Sequence, residues 1–238
     1  MDLMVIGASR GLGRAFVEGL CAAGDRVIGV SRSRPGDLRL PEAVQLDWIE
    51  ADMSSPLEAA RQIEQQMPAR LDALIYNLGV WEEAAFSEDY RFLDHADASI
   101  IEMVNINITG TILLLKRLIP RLLGARKPQL ILTGSTSGLR QSGRPEVTFG
   151  ASKFALTGIG EALRESFRAE RLAVTSLQLG YLNTDDDLSK PLAEAARRGD
   201  GELVPVHDVV GLVRAVLNLS DASYVRELVL PALRDERF

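Results

Sequence analysis

The stretch Leu3-Met4-Val5-Ile6-Gly7-Ala8-Ser9-Arg10-Gly11-Leu12-Gly13 holds four apolar residues, a turn with three glycines, and the start of a helical pattern. Phe16, Leu20 and Ala23 carry that pattern on until Gly24 stops it. A short buried strand running through a glycine turn into a helix is the opening unit of an α/β sheet. Glycine serves such a turn because it accepts positive φ and lets backbone approach backbone closely. The free N–H groups and the dipole at the helix start then form a receptor for a phosphate anion.

The same alternation continues along the chain. Strands are predicted at Arg26 to Val30, Val44 to Glu50, Leu71 to Tyr76, Gln129 to Thr133, Val174 to Leu179 and Tyr224 to Leu230. Helices are predicted at Ser55 to Met67, Ile100 to Leu123, Phe149 to Arg171 and His207 to Leu219. Ser55 reads as an N-cap with Pro56 at the first helical position and Glu58 closing a capping box. Strands alternating with helices require parallel, right-handed crossovers, so the expected fold is one doubly wound Rossmann-type domain over residues 1–238. Its sheet has seven mainly parallel strands and helices on both faces. Two irregular stretches, Trp81 to Asp97 and Thr184 to Pro205, follow strand ends on the edge where open sheets bind ligands. They are expected to face substrate, with 184–205 as a lid. The run Asp185-Asp186-Asp187 reads as a solvated helix start rather than a cation site.

A length of 238 residues fits one core, and 46% hydrophobic with 25% charged residues is a globular composition. A net charge of −6 argues against nucleic acid or an anionic membrane as partner, leaving a small molecule as the expected one. The lone cysteine, Cys21, cannot form an intrachain disulfide and is expected to pack in the core. With no leader pattern and no apolar run of about 18 residues, the expectation is a cytoplasmic protein. No metal site is expected.

The end of the second strand bears on the ligand of the glycine turn. An acid there would hold the ribose hydroxyls of NAD and repel the extra phosphate of NADP. The chain instead reads Val30-Ser31-Arg32-Ser33-Arg34, with Arg10 in the glycine turn, so Arg32 and Arg10 can clamp a 2′-phosphate and NADP(H) is the expected cofactor. Arg34 reads more readily as a surface charge. Asp52, followed by Met53, either accepts from the adenine amine or helps start the Ser55 helix.

In this order and spacing the residues resemble the short-chain dehydrogenase/reductase family over essentially the whole chain. The turn from Ile6 to Gly13 is similar to that family's T-G-x-x-x-G-x-G, with Ile6 in place of threonine. Tyr76-Asn77-Leu78-Gly79 stands at its N-N-A-G, keeping Asn77 and Gly79. Asn107 matches its helix asparagine, Ser135 its carbonyl-orienting serine, and Lys153 the lysine of Y-x-x-x-K. The tyrosine of that signature falls on Phe149, which has no proton to give. Leu179-Gly180 replaces its P-G turn, and Thr184 keeps a position that often contacts the nicotinamide carboxamide.

The resemblance implies binding of Gly7, Ser9, Arg10, Gly11, Leu12, Gly13, Ser31, Arg32, Asp52, Met53, Asn77, Gly79, Lys153, Gly180 and Thr184 to the cofactor. It also implies a homodimer or homotetramer pairing through the helices at Ile100 to Leu123 and Phe149 to Arg171. Three activities stay open: an oxidoreductase for a small carbonyl or alcohol, a non-catalytic NADP(H)-binding regulatory protein, and a non-redox enzyme that keeps the cofactor. For the first, Tyr181, Tyr76 and Thr148 are candidate substitute donors, with Tyr181 favoured, and Phe149 doubles as an apolar wall for a substrate.

Overall fold

The computed structural model describes residues 1–236. Seven strands form one parallel sheet: β1 (Asp2–Ile6), β2 (Arg26–Ser31), β3 (Gln45–Glu50), β4 (Ala73–Tyr76), β5 (Gln129–Thr133), β6 (Ala173–Leu179) and, late in the chain, Glu227–Leu230. Two short strands, β7 (Leu182–Asn183) and β8 (Val204–Pro205), pair apart from it, which makes the late strand β9. The sheet order is β3-β2-β1-β4-β5-β6-β9, and every pairing is parallel. The order reverses between β1 and β4, so the chain leaves these neighbouring strands toward opposite faces and opens a crevice there.

Side chains alternate across this sheet as the two-residue period of a strand requires. Met4, Ile6, Leu74, Tyr76, Leu130 and Leu132 point to one face, where they meet α2 (Pro56–Gln66), α4 (Thr111–Leu122) and α5 (Val147–Ser166) through Ile63, Leu114, Leu118 and Leu156. Leu3, Val5, Ala73, Ile75 and Ile131 point to the other, against α1 (Gly11–Gly19) and α7 (Val206–Leu217) through Phe16, Val17, Val209 and Val213. Burial on both sides is why these strands read as continuous apolar runs. Cys21 packs in the second core as expected, and burial pushes its thiol up to about 12.

Three local readings need correction. Ser55 is the N-cap of α2 with Pro56 in its first turn, but the side-chain cap is not made; Asp52 Oδ1 instead accepts from the Ser54 N–H and shapes the turn. The three aspartates do not start a helix, since α6 (Leu192–Gly199) begins five residues later. Asp186 is buried, where it accepts from Asn183 Nδ2 at 2.9 Å and pairs with Arg198. The helix expected from Ile100 is α3 (Asp97–Val104), a π-helical turn (Asn105–Gly110) and α4 in continuous succession. These 26 residues are long and apolar enough to cross a membrane, although Leu114, Leu115, Leu118, Ile119 and Leu122 are spent on the sheet.

The tightest constraint lies in the β1–α1 turn. Gly7 has φ +80°, and a Cβ on Gly13 would fall 1.9 Å from the Gly7 carbonyl oxygen and 2.9 Å from Asn77 Nδ2. Backbone cannot yield as a flexible side chain can. Gly13→Ala is therefore expected to cost about 1–3 kcal/mol, the usual penalty of overpacking, read as a lowered midpoint in urea unfolding. An unchanged midpoint would contradict this packing.

Candidate active site

The loops after β1 and β4 meet in the crevice, where a Cβ on Gly7 would lie 3.0 Å from the Asn77 carbonyl oxygen. Ser9, Arg10, Gly11 and Thr184 line a cavity of about 210 Å³ at the start of α1, together with Asp185, Asp186 and Asp187. The turn glycines, Leu12 and Thr184 are thus brought together. The side chains of Arg10 and Arg32 are exposed and make no hydrogen bond or ion pair among the described residues. Arg14 differs: it bonds Glu18 and Asp37 and thereby ties the 33–40 segment to α1. Ser31 Oγ donates to the Ser33 carbonyl, and the Arg34 N–H donates to Glu50. Gly7 and Gly13 let the β1–α1 turn close against the end of β4 at the helix start, and the guanidiniums of Arg10 and Arg32 are exposed and unpaired among the described residues. The residues present therefore fit a phosphorylated dinucleotide.

On the other side of the crevice, α5 carries Phe149 and Lys153 one turn apart. Lys153 is buried, donates to the Thr133 carbonyl at 3.1 Å, and sits 5.4 Å from the centre of the Phe149 ring. Loss of water around the ammonium lowers its pKa from 10.5 to about 8. Ser135 follows β5. Its Oγ accepts from the Ser137 N–H, and its own N–H donates to Gln178 Oε1. Gln178 is itself fixed by Thr157 and Glu227, so β6 positions this serine.

Asn107 does not present its side chain to a reacting group. Oδ1 accepts from the Val80 N–H, and Nδ2 donates to the Val80 carbonyl at 2.7 Å and to Ser152 Oγ. It clamps the strand-end segment that carries Asn77 and Gly79. The π turn containing Asn107 is closed by Thr111 Oγ1, which donates to the Asn107 carbonyl. Thr111 also bonds the Tyr76 hydroxyl, and burial pushes that phenol up to about 12. Tyr76 is thereby removed as a substitute donor. The Thr148 N–H is turned to Glu82, and its side chain is buried. Tyr181 accepts from Arg144 Nη1 at 2.9 Å, with the guanidinium 4.6 Å over its ring, and Arg144 is paired in turn with buried Asp235.

Several residues of this region escaped sequence reasoning: Gln178, Arg144, Phe86 and the acids Glu82 and Glu146. Glu82 and Glu146 are only 5% and 3% exposed. Glu82 Oε1 accepts from the N–H groups of Thr148 and Phe149, so a carboxylate from a distant loop caps α5. Glu146 Oε1 accepts in return from the Phe86 N–H. Only Glu146, an acid just before a helical run, carried a local signal.

A model of the short chain dehydrogenase family matches residues 3–194, and the chain belongs to that family of oxidoreductases. It is 28% identical over 232 residues, 96% of this chain and 90% of the relative, to an uncharacterized short-chain type dehydrogenase/reductase, y4eK, of Sinorhizobium fredii. To the 3-oxoacyl-[acyl-carrier-protein] reductase FabG of Escherichia coli it is 24% identical, over 93% of this chain and 91% of that protein. The Pseudomonas aeruginosa RhlG/NADP active-site complex has the same fold, with a TM-score of 0.74 at 21% identity, covering 100% of this chain and 96% of that one.

The lowered Lys153 pKa has a sign that stability must follow. Below about pH 8 the folded protein holds a buried ammonium that the unfolded chain would hydrate, so Lys153 costs stability there. Between about 8 and 10.5 the folded state has released this proton while the unfolded state keeps it, and the cost disappears. Lys153→Met should therefore be most favoured over the parent protein near neutral pH, by up to about 3 kcal/mol less the lost Thr133 bond. The gap should shrink as urea unfolding is repeated toward higher pH, and a pH-independent gap would contradict the desolvation.

Proposed function

We propose that the chain is an NADP(H)-dependent oxidoreductase acting on a small carbonyl or alcohol, with a displaced proton donor. The observation that carries this reading is the glycine cradle beside two unpaired guanidiniums, Arg10 and Arg32. Gly7, Ser9, Gly11, Leu12 and Gly13 would hold the diphosphate, and Arg10 and Arg32 the 2′-phosphate. Ser31, Asp52 and Met53 would face the adenosine, and Asn77, Gly79, Lys153, Gly180 and Thr184 the nicotinamide half, with 184–205 as lid. When bound, the cofactor supplies the hydride.

The protein's own part is to orient the carbonyl and move one proton. Ser135 Oγ–H is available to donate to a substrate oxygen, because that Oγ acts only as acceptor toward Ser137. Lys153 would hold ribose hydroxyls from beside Thr133. In this reading Phe149 stands where the family places its tyrosine and has no proton at that atom. Tyr181 is the substitute we favour; it meets Phe86 edge-on, and its oxygen accepts from Arg144. Losing a well-placed acid typically lowers rate about 10²- to 10⁴-fold, so turnover should be slow.

The missing hydroxyl favours one competitor, a non-catalytic NADP(H)-binding protein, and turnover separates the two. NADPH oxidation with carbonyl substrates should be slow in the parent chain, abolished by Tyr181→Phe and accelerated by Phe149→Tyr. Turnover in Phe149→Tyr alone would establish the binding protein instead. On the same preparations, Arg32→Ala should weaken NADPH by about 1–3 kcal/mol and spare NADH, as loss of a charged hydrogen bond does. Equal loss for both would contradict the 2′-phosphate contact.

The same reading includes self-association through α3–α4 and α5. Ile101, Val104 and Ile112 recur at helical spacing and are exposed, as are Val147 and Phe154 on α5. Sedimentation should give a dimer or tetramer that Phe154→Glu dissociates; a monomeric parent chain would end this part of the proposal.

A further inference from the structure

Three aromatic rings gather around Phe86, and one of them, Phe149, lies 5.4 Å from the Lys153 ammonium. Phe86 meets Phe149 edge-on with centroids 5.2 Å apart, Tyr181 edge-on at 5.7 Å, and Trp81 at 6.1 Å. These are the separations and tilts at which aromatic quadrupoles attract. Phe86 is nevertheless 37% exposed, and its φ of +68° lies in the left-handed region, which a bulky residue seldom occupies. The loop pays this cost at the one position that delivers a ring to Phe149.

The backbone around Phe86 is held from both sides. Glu146 accepts from the Phe86 N–H, Glu82 caps Thr148 and Phe149, and Tyr90 accepts from the Val147 N–H at 2.9 Å. The segment from Glu82 to Tyr90 is thus stapled to the first turn of α5, largely through buried carboxylates. The half-exposed ring has no comparable tether. Rotation of Phe86 about its Cα–Cβ bond would leave the stapled loop in place and vacate a slot between Phe149, Tyr181 and Trp81, the three rings it now touches.

We propose that the place filled by the Phe86 ring is the substrate subsite, that it takes an aryl group bonded to the reacting carbonyl or carbinol carbon, and that Phe86 turns out when this group enters. The Phe86 ring serves as an internal stand-in for that group: it fixes the size of the slot and the edge-on approach to Phe149. Phe149 gains a positive role here as the apolar floor on which the aryl group packs. That the carbon bearing the aryl group reacts rests on the oxidoreductase reading; recognition of the ring does not.

The test is ligand-observed fluorine NMR with para-fluoroacetophenone, competed by a linear methyl ketone of equal carbon number. Removing the stand-in should tighten aryl binding about tenfold in Phe86→Ala, because the free protein no longer has to expel its own ring. Phe86→Leu keeps the loop filled without the edge-on pairing and should show a smaller gain. Adding Phe149→Leu to Phe86→Ala should remove the gain. The proposal is overturned if both Phe86 variants bind the aryl ketone no better than the parent chain, or if the linear ketone competes as well as an aryl one. An NADPH titration on the same samples keeps the two readings apart. Aryl binding without NADPH binding refutes the cofactor assignment alone, and NADPH binding without an aryl preference refutes the subsite alone.

Discussion

The contact between Gly13 and the Gly7 carbonyl sets the distance between the first helix and the first strand, and most of the remaining architecture is referred to it. With no Cβ in the way, α1 starts hard against the sheet edge at the β1–β4 reversal, and Asn77 closes the crevice from the neighbouring strand. Helix N–H groups, a left-handed glycine and the end of β4 converge because the backbone approaches so closely. That convergence is what an anionic ligand needs, and the two unpaired arginines extend it by one further charge site.

The fold was legible because buried parallel strands leave a strong trace. Leu3 to Ile6, Arg26 to Val30 and Gln129 to Thr133 fall within a residue of the observed strands, since both faces of each strand are covered and their interior positions are apolar. Helix ends were read less well. The helix expected at Phe149 to Arg171 runs Val147–Ser166, and its start was placed late because the cap comes from Glu82, a residue remote in sequence that no local pattern reveals. The run of aspartates was misread for a related reason: the partners that bury Asp186, Asn183 and Arg198, come together only when the 183–198 segment folds.

Within the candidate site, the residues named in advance lie on or beside regular elements and those acting through loops were not named. Lys153 and Ser135 were named by their match to the family's signature residues, and they lie on α5 and just after β5. Asn107 was found by the same means, yet its side chain serves the Val80 backbone rather than a reacting group. The exchange of carboxylates between Glu82 and Glu146 joins a loop without periodicity to a helix start, and only the three-dimensional arrangement displays it. That exchange gives the Phe149 position its context. There an apolar ring lies edge-on to Phe86 and 5.4 Å from the Lys153 ammonium, held by a capped helix turn.

The central claim is that a dinucleotide diphosphate lies against the start of α1 with its 2′-phosphate on guanidinium. A crystal structure of the protein grown with NADPH tests it most directly. The account predicts diphosphate oxygens within hydrogen-bonding distance of the Leu12 and Gly13 amides and the 2′-phosphate against Arg32 and Arg10. A nucleotide bound elsewhere, or a protein that takes up none at saturating NADPH, would contradict it.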